Sequence, residues 1–405
     1  MAASTVFAGG ATAALAVGIR LRAATSTPSR LLGNSMQFGQ RWKRFLSSRA
    51  VGDSIDTRTY ELHKKYHDKT IEFTMENYEY VQNKGYNTDR ELSPAQQVLI
   101  RRAARARFAC WPRLEEKHTH EVQLGSSPQR FLGRNGNLVP GDPGENVFVI
   151  SLARRPSKLR HVLHELYEQG ISATIVDAID GDAILCKDDV ESHGVQVLPG
   201  YVGHRNHGIQ LTTGEVGCFM SHYSIWHHMV EHGIESALIL EDDFDFQERF
   251  AERLGEYLEE AANEDWNLLY VGRSPVEPDL RQISEHVSEP GYTLWTVGYI
   301  MRLDAARALL EAEAFRQFAP LDEFFSLAMG RITTVYNEYA PIWQRYIPCV
   351  IRGLAVSPPL VMPYVGSMFE SDTAMLRSGT RYVKDLPQGI SADEEERQLQ
   401  GIFDR

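Results

Sequence analysis

Long apolar runs are missing from this 405-residue chain: no 18 consecutive apolar residues occur, which argues against a strongly hydrophobic membrane-spanning helix. Cysteine is scarce. Cys110, Cys186, Cys218 and Cys349 are far apart, with no C-x-x-C pair, so neither a zinc finger nor a disulfide-dense scaffold fits. One disulfide stays open. Acidic residues are absent before Asp53, whereas seven basic residues fall there. The remainder holds 35 Lys and Arg against 54 Asp and Glu. Such an acidic body is a poor match for nucleic-acid phosphates, so no nucleic-acid partner is expected. Hydrophobic residues at 43 % and charged residues at 24 % are ordinary for a globular chain, which excludes collagenous and wholly disordered readings.

Residues 1–52 are rich in Ser, Ala and Arg and free of acid, the composition of an organelle-targeting presequence. A secretory signal or weak anchor competes. Its apolar core, Val6 to Ile19, is diluted by Gly9, Gly10, Thr12 and Gly18, and the positive charges follow it rather than precede it. This segment is expected to be a targeting leader or a disordered tail. Residues 53–144 read as a mostly helical extension and linker. Ser93-Pro94-Ala95-Gln96 has the form of a helix start, and the chain between Gly125 and Gly144 is rich in Gly, Pro, Ser and Asn.

The next pattern is strand, helix, strand. Val147 to Leu152 is a short apolar run, Pro156 can open a helix, Gly170 can end it, and Ala173 to Val176 is a second apolar run. That is the size of a βαβ unit, which implies parallel strands. Polar residues follow each strand: Ser151, Arg154 and Arg155 after the first, Asp177, Asp180 and Gly181 after the second. Ligands of open α/β sheets sit beyond the carboxyl ends of strands. Arginine there can meet phosphate, and aspartate can accept from base or ribose; turns without a ligand use the same residues.

Thr212-Thr213-Gly214-Glu215 reads as a capping box. Val216, Phe219, Met220, Tyr223, Trp226 and Val230 then recur at helical spacing up to Gly233. Ala237 to Leu240 is a fully apolar strand that runs into Glu241-Asp242-Asp243. Successive carboxylates repel one another, and a cation among them relieves this. Alternation points Glu241 and Asp243 to one side. Carboxylate oxygens suit Mg²⁺ or Mn²⁺; an acidic turn without metal is the competing reading. His228 and His232 stand four apart on the same helix, a spacing that can bind zinc, but without the Glu of an H-E-x-x-H motif they read as bystanders. His222 is the better placed for a structural hydrogen bond beside the acidic strand end.

The run Thr213 to His222, followed by Leu238-Ile239-Leu240-Glu241-Asp242-Asp243, resembles the family 25 glycosyltransferases. The first strand with its arginines and Asp177-Ala178-Ile179-Asp180-Gly181 match the family's opening motifs in order. Asp265 to Gly272, Gly298-Tyr299, Pro320 to Glu323 and Ser371-Asp372-Thr373 follow. Ser151 stands where the family usually has Asn. The resemblance covers residues 146–373 and implies an α/β, GT-A type nucleotide-sugar-binding fold, with a mixed, mainly parallel sheet flanked by helices. It also implies metal dependence (Mn²⁺ or Mg²⁺), a UDP-sugar donor, most often UDP-galactose, and inversion at the sugar. The metal would then lie on Glu241 and Asp243, with Asp372 a further candidate. Ser151, Leu152, Arg154, Arg155, Asp177, Asp180, Gly181 and Asp242 would hold the donor. Asp322 or Glu323 would be the base, although acids at a helix start also serve as caps. Glu215, Ser221 and His222 would support the site.

The transferase domain is thus expected over 145–375, and a tail with a short acidic helix over 376–405. The acceptor is a protein or glycan hydroxyl. Two other functions use the same residues: a non-catalytic nucleotide-sugar-binding scaffold, and a metal-dependent phosphohydrolase. The resemblance favours the secretory pathway (ER or Golgi), and the basic leader favours a mitochondrion or other organelle. Membrane association stays open.

Overall fold

The computed structural model describes residues 94–122, 131–132, 138–139, 146–199, 201, 211–332, 340–343, 345–364 and 380–401. The expected leader, the extension over 53–93, most of the linker and Asp372 lie outside these residues. Among the described residues, no helix is long and apolar enough to cross a membrane.

Helix α1 (Pro94–Ala109) begins at the proline that the sequence marks as a first-turn residue. Strand β1 (Thr119–Val122) and a small hairpin, β2 (Phe131–Leu132) with β3 (Leu138–Val139), follow. The βαβ unit is β4 (Val147–Ser151), α2 (Pro156–Gln169) and β5 (Ala173–Asp177), with β4 and β5 parallel. Gly170 closes α2 in the left-handed conformation at φ 62°. After the short α3 (Lys187–Glu191) comes α4 (Thr213–His232), whose capping box is reciprocal. Glu215 N donates to Thr212 Oγ1 at 3.0 Å, and Thr212 N donates to Glu215 Oε2 at 2.7 Å.

Strand β6 (Ser236–Leu240) leads into β7 (Phe244–Phe246) and α5 (Phe250–Glu260). Then come β8 (Leu268–Pro275), β9 (Arg281–Gln282), β10 (Val287–Glu289), β11 (Thr293–Arg302), α6 (Leu303–Glu311), α7 (Leu321–Ala328) and α8 (Ala340–Trp343). The last elements are β12 (Gly353–Val356), β13 (Val361–Pro363) and the acidic α9 (Ala392–Gly401).

Among the described residues, nine strands form one sheet in the order β1-β5-β4-β6-β11-β8-β12-β10-β9. Strands β5, β4, β6, β8, β12 and β9 run one way; β1, β11 and β10 run the other. The mixed, mainly parallel GT-A type sheet expected from the sequence is present. All five residues of β4 are buried, because helices cover both sides. Val147 and Val149 pack with Leu159, Val162 and Leu163 of α2 and with Leu254 of α5. Phe148 and Ile150 face Val216, Phe219 and Met220 of α4, in a cluster completed by α6 and α7. Period-two alternation thus divides the core into two layers.

Strand β4 lies between β5 and β6, so the chain leaves it in opposite directions across the sheet. Such a switch point opens a crevice beyond the strand ends. The loop after β5 is pressed onto the start of α4, backbone against backbone. A Cβ added at Gly217 would meet Ile179 O at 2.4 Å, and one at Gly181 would meet Thr213 O at 2.4 Å. Ile179 N donates to Ser221 Oγ at 2.8 Å, and that hydroxyl donates to Gly217 O at 2.7 Å. Ser221 therefore ties the loop to the helix.

Gly217→Ala must force this contact apart, whereas a Cβ at Gly255, within α5, meets nothing within 4 Å. Thermal unfolding followed by circular dichroism should show Gly217→Ala destabilised by about 1–3 kcal/mol or more. Gly255→Ala should be stabilised by roughly 0.5–1 kcal/mol, the ordinary gain for replacing a mid-helix glycine.

Candidate active site

A cleft of about 780 Å³, counting its open mouth, lies where the switch point predicts it. Leu152, Arg154 and Lys158 reach it from beyond β4, Ala178 to Asp182 from beyond β5, and Glu241, Asp242 and Asp243 from beyond β6. Thr212 to Gly214, Cys218, Ser221 and His222 of α4 form its floor, with Thr380 and Arg381 at one side.

The three consecutive acids divide between two sides, with Asp242 and Asp243 sharing Lys158. Asp242 is buried; its Oδ2 accepts from Leu152 N at 3.1 Å, and its Oδ1 lies 3.4 Å from Lys158 Nζ. Asp243 Oδ2 lies 3.8 Å from the same ammonium, and its carbonyl accepts from Tyr364 N at 2.6 Å. Glu241 turns the other way. Its Oε1 accepts from Thr296 Oγ1 at 2.5 Å and lies 3.6 Å from His222 Nε2. Loss of water would raise the Glu241 carboxyl, but His222, Thr296 and Lys158 together hold it below its ordinary value.

The strand-end Arg and Asp find each other. Arg154 Nε donates to Asp180 Oδ2 at 2.8 Å, with a second bond to Oδ1 at 3.3 Å. Asp180 Oδ1 also accepts from Asp182 N at 3.0 Å. Leu152, Arg154, Asp180, Gly181 and Asp242 line the cleft. Ser151, Arg155 and Asp177 do not. Ser151 is a buried strand residue whose carbonyl accepts from Ala178 N at 2.9 Å. Arg155 stands at the N-cap of α2, where its carbonyl accepts from Lys158 N at 3.0 Å. Asp177 turns to the edge strand, 3.4 Å from His120 Nε2. These three therefore do not line the cleft: Ser151 and Asp177 lie within the strands, where side chains alternate, and Arg155 lies at the helix cap.

Glu215 is spent on its capping box, and His222 is fully buried behind the acids. Asp322 and Glu323 open α7 and part company there. Glu323 has no exposed surface, whereas Asp322 is only partly buried. Asp322 Oδ1 accepts from Glu323 N at 2.8 Å and its Oδ2 from Trp295 N at 3.4 Å. Neither residue lines the cleft proper. The link is a bulge in β11, where register with β8 shifts between Leu294 and Gly298. Its residues hold both sets of acids: Trp295 holds Asp322, Thr296 holds Glu241, and Val297 O accepts from Glu241 N at 3.2 Å. Trp295 adopts φ 69°, unusual for a large side chain. Bulges and strained residues cluster at functional sites.

Sequence reasoning missed Lys158, Thr296 and Cys218. Lys158 sits in the first turn of the helix after β4, a position that faces the strand ends. Cys218 stands four residues before His222, so the pair shares one helix face. Among the described residues, two groups of three bring ligating atoms within 4.8 Å of one another: Cys218, His222 and Glu241, and His161, Glu165 and Asp245. Asp243 is in neither. Loss of water, then the Glu241 and Asp322 carboxylates, push the Cys218 thiol well above its usual range. His228 and His232 lie outside both groups; burial and the neighbouring His232 press His228 down to about 4.

The profile described as "Glycosyltransferase family 25 (LPS biosynthesis protein)" matches residues 145–325. Over this segment the chain is similar to glycosyltransferase family 25. It is 36 % identical over 241 residues to a protein of Danio rerio named procollagen galactosyltransferase 1, covering 56 % of this chain and 38 % of that protein. It is 42 % identical over 237 residues to a probable inactive glycosyltransferase 25 family member 3 of Bos taurus, covering 56 % and 39 %. With procollagen galactosyltransferase 2 of Homo sapiens the identity is 33 % over 239 residues, covering 56 % and 37 %. The chain thus spans about two fifths of the length of the curated relatives it matches. The family segment contains β4 to β6, the acidic strand end, the β11 bulge and the start of α7.

The second acidic group generates a pH prediction. His161 Nε2 lies 2.8 Å from Asp245 Oδ1, and Phe246 N donates to Glu165 Oε2 at 2.7 Å. Removal from water, and then the Asp245 carboxylate, push Glu165 up to about 8 against the pull of His161. The unfolded chain loses this proton near 4.5, while the folded chain keeps it to about 8. The Glu165 contribution to stability therefore falls as pH rises through that window. Glu165→Gln, which keeps an acceptor for Phe246 N, should flatten the decline of Tm between about pH 5 and 8. An unchanged profile would refute the assignment.

Proposed function

We propose that this chain is a metal-dependent, inverting glycosyltransferase that moves a sugar, galactose by analogy with the names of its relatives, from a UDP-sugar to an acceptor hydroxyl on a protein or glycan. One observation carries the reading: the ends of β4, β5 and β6 deliver Arg154, Asp180, Lys158 and three carboxylates into a single cleft at the switch point of the sheet. That is the place and the chemistry for a nucleotide diphosphate. In this reading Arg154 meets the phosphates through charge-assisted bonds, and Asp180 and Asp242 accept from the nucleoside and sugar.

The carboxylate oxygens of Glu241 and Asp243, both lining the cleft, are a donor set that fits a hard cation such as Mn²⁺ or Mg²⁺. When bound, such an ion neutralises charge on a departing diphosphate. Asp242 anchors the acidic turn to β4 and Lys158. Asp322 is the better base of the two candidates: it has exposed surface, and the β11 bulge joins it to Glu241, whereas Glu323 is sealed in the core. Its role is to take the acceptor hydroxyl proton as attack begins. Asp372, outside the described residues, stays a candidate on the metal side. The names of the procollagen relatives support a secretory location, and the acid-free basic leader supports another organelle.

A second reading has support of its own. Lys158 Nζ already sits 3.4 and 3.8 Å from Asp242 and Asp243, a cation built into the acidic turn. Together with the relative named as probably inactive, this favours a nucleotide-sugar-binding scaffold.

A donor screen of the full chain with UDP-sugars, with and without Mn²⁺, separates the readings. Metal-dependent transfer from UDP-galactose is expected. Asp243→Asn should abolish it with an unchanged circular dichroism spectrum. Asp322→Asn should lower kcat by roughly 10²–10⁴ with little change in KM. UDP binding by calorimetry without transfer would leave the scaffold, and release of free phosphate would indicate a hydrolase.

A further inference from the structure

The hard-cation reading uses Glu241 and Asp243, yet the three ligating side chains that converge in the cleft are Cys218, His222 and Glu241. Cys218 and His222 lie one turn apart on α4, and Glu241 comes to them from the end of β6. The His222 ring has no exposed surface. Its Nδ1 lies 2.9 Å from Tyr299 Oη, which also accepts from Trp226 Nε1 at 3.1 Å. Its Nε2 is buried and makes no hydrogen bond, and it aims at Glu241 Oε1 from 3.6 Å.

We infer that Cys218, His222 and Glu241 form a seat for a thiophilic divalent cation of the zinc class, beside the hard-cation position and sharing Glu241 with it. The donor set is one sulfur, one imidazole nitrogen and one carboxylate oxygen, which zinc accepts and magnesium does not. Tetrahedral ligation with metal–ligand bonds of about 2.0 Å places N and O about 3.3 Å apart, close to the observed 3.6 Å. The orienting contact behind the ring is also present: Tyr299 Oη can take the Nδ1 proton as well as that of Trp226, which leaves a lone pair on Nε2. Cys218 and Glu241 line the cleft, so the fourth position faces solvent. Occupation by a soft ion draws Glu241 onto the α4 side, away from Asp243, so soft and hard ions compete. The seat does not depend on sugar transfer.

The test uses Co²⁺ as a spectroscopic probe on the metal-free full chain. One equivalent should give a thiolate-to-cobalt charge-transfer band and the intense visible bands of four-coordinate cobalt, both bleached by one equivalent of Zn²⁺. Cys218→Ser, a nearly isosteric change at a partly buried position, should remove the charge-transfer band and weaken Zn²⁺ binding at least about tenfold. His222→Gln should remove the four-coordinate signature; if that buried substitution unfolds the chain, the Cys218→Ser result decides. No charge-transfer band in the parent protein, or a band that survives Cys218→Ser, overturns the inference. Absence of UDP-sugar turnover would count against the transferase reading and leave these spectra unaffected.

Discussion

Three carboxylates in succession at the end of a buried strand are the constraint around which the cleft is arranged. At this separation, unit charges of one sign repel by several kcal/mol in a partly desolvated setting. The fold meets this by setting a lysine beside the two aspartates and turning the glutamate away from them. Asp242 goes to the β4 backbone and Lys158, Asp243 shares that lysine, and Glu241 crosses to Thr296 and His222. Helix α2, strand β11 and helix α4 are therefore all tied to one turn of chain. None of these ties serves as a surface ornament, because each involves a buried or half-buried partner, where screening by salt is weak.

The sheet makes that convergence geometrically available. Strands β5, β4 and β6 are parallel neighbours, so their carboxyl ends open on the same side. The antiparallel β11 then returns alongside β6 and brings its irregular segment opposite the acids. A regular β11 would keep pairing with β8 through residues 295–297. The bulge turns the Trp295 amide to Asp322, while Val297 O extends the β6 side of the ladder by accepting from Glu241 N.

Much of this is legible in the sequence, for definable reasons. The apolar runs of β4 and β6 are continuous because both faces are covered, and the Thr212–Glu215 capping box is local chemistry that needs no tertiary context. The acidic strand end is visible because so many adjacent carboxylates are unusual. What escapes is direction. Asp177 and Asp180 look alike in the sequence, yet one turns to His120 and the other to Arg154, since the chain leaves the extended strand between them. Lys158 reads as one more charged helix residue until the helix is seen to begin beside the acids. The irregularity of β11 between Leu294 and Tyr299 is set by how it pairs with β8, and Gly298 alone does not announce it in the sequence. Asp322 and Glu323 are adjacent, and only the packing of α7 separates the partly exposed one from the sealed one.

Strand β1 lies upstream of the family segment, yet it is hydrogen-bonded along β5 from Thr119 to Val122. Trp111, between α1 and that strand, donates its indole N–H to Met220 O at 2.9 Å, and Arg105 clasps Asp189 and Glu395 from the two flanks of the chain. The boundary drawn by similarity is therefore not where this molecule could be cut. Trimming to residue 145 would strip the outer row of amides and carbonyls from β5 and leave it bare. Such an open border recruits another molecule's strand, so the trimmed protein would be prone to precipitate or stack even with every cleft residue still in place.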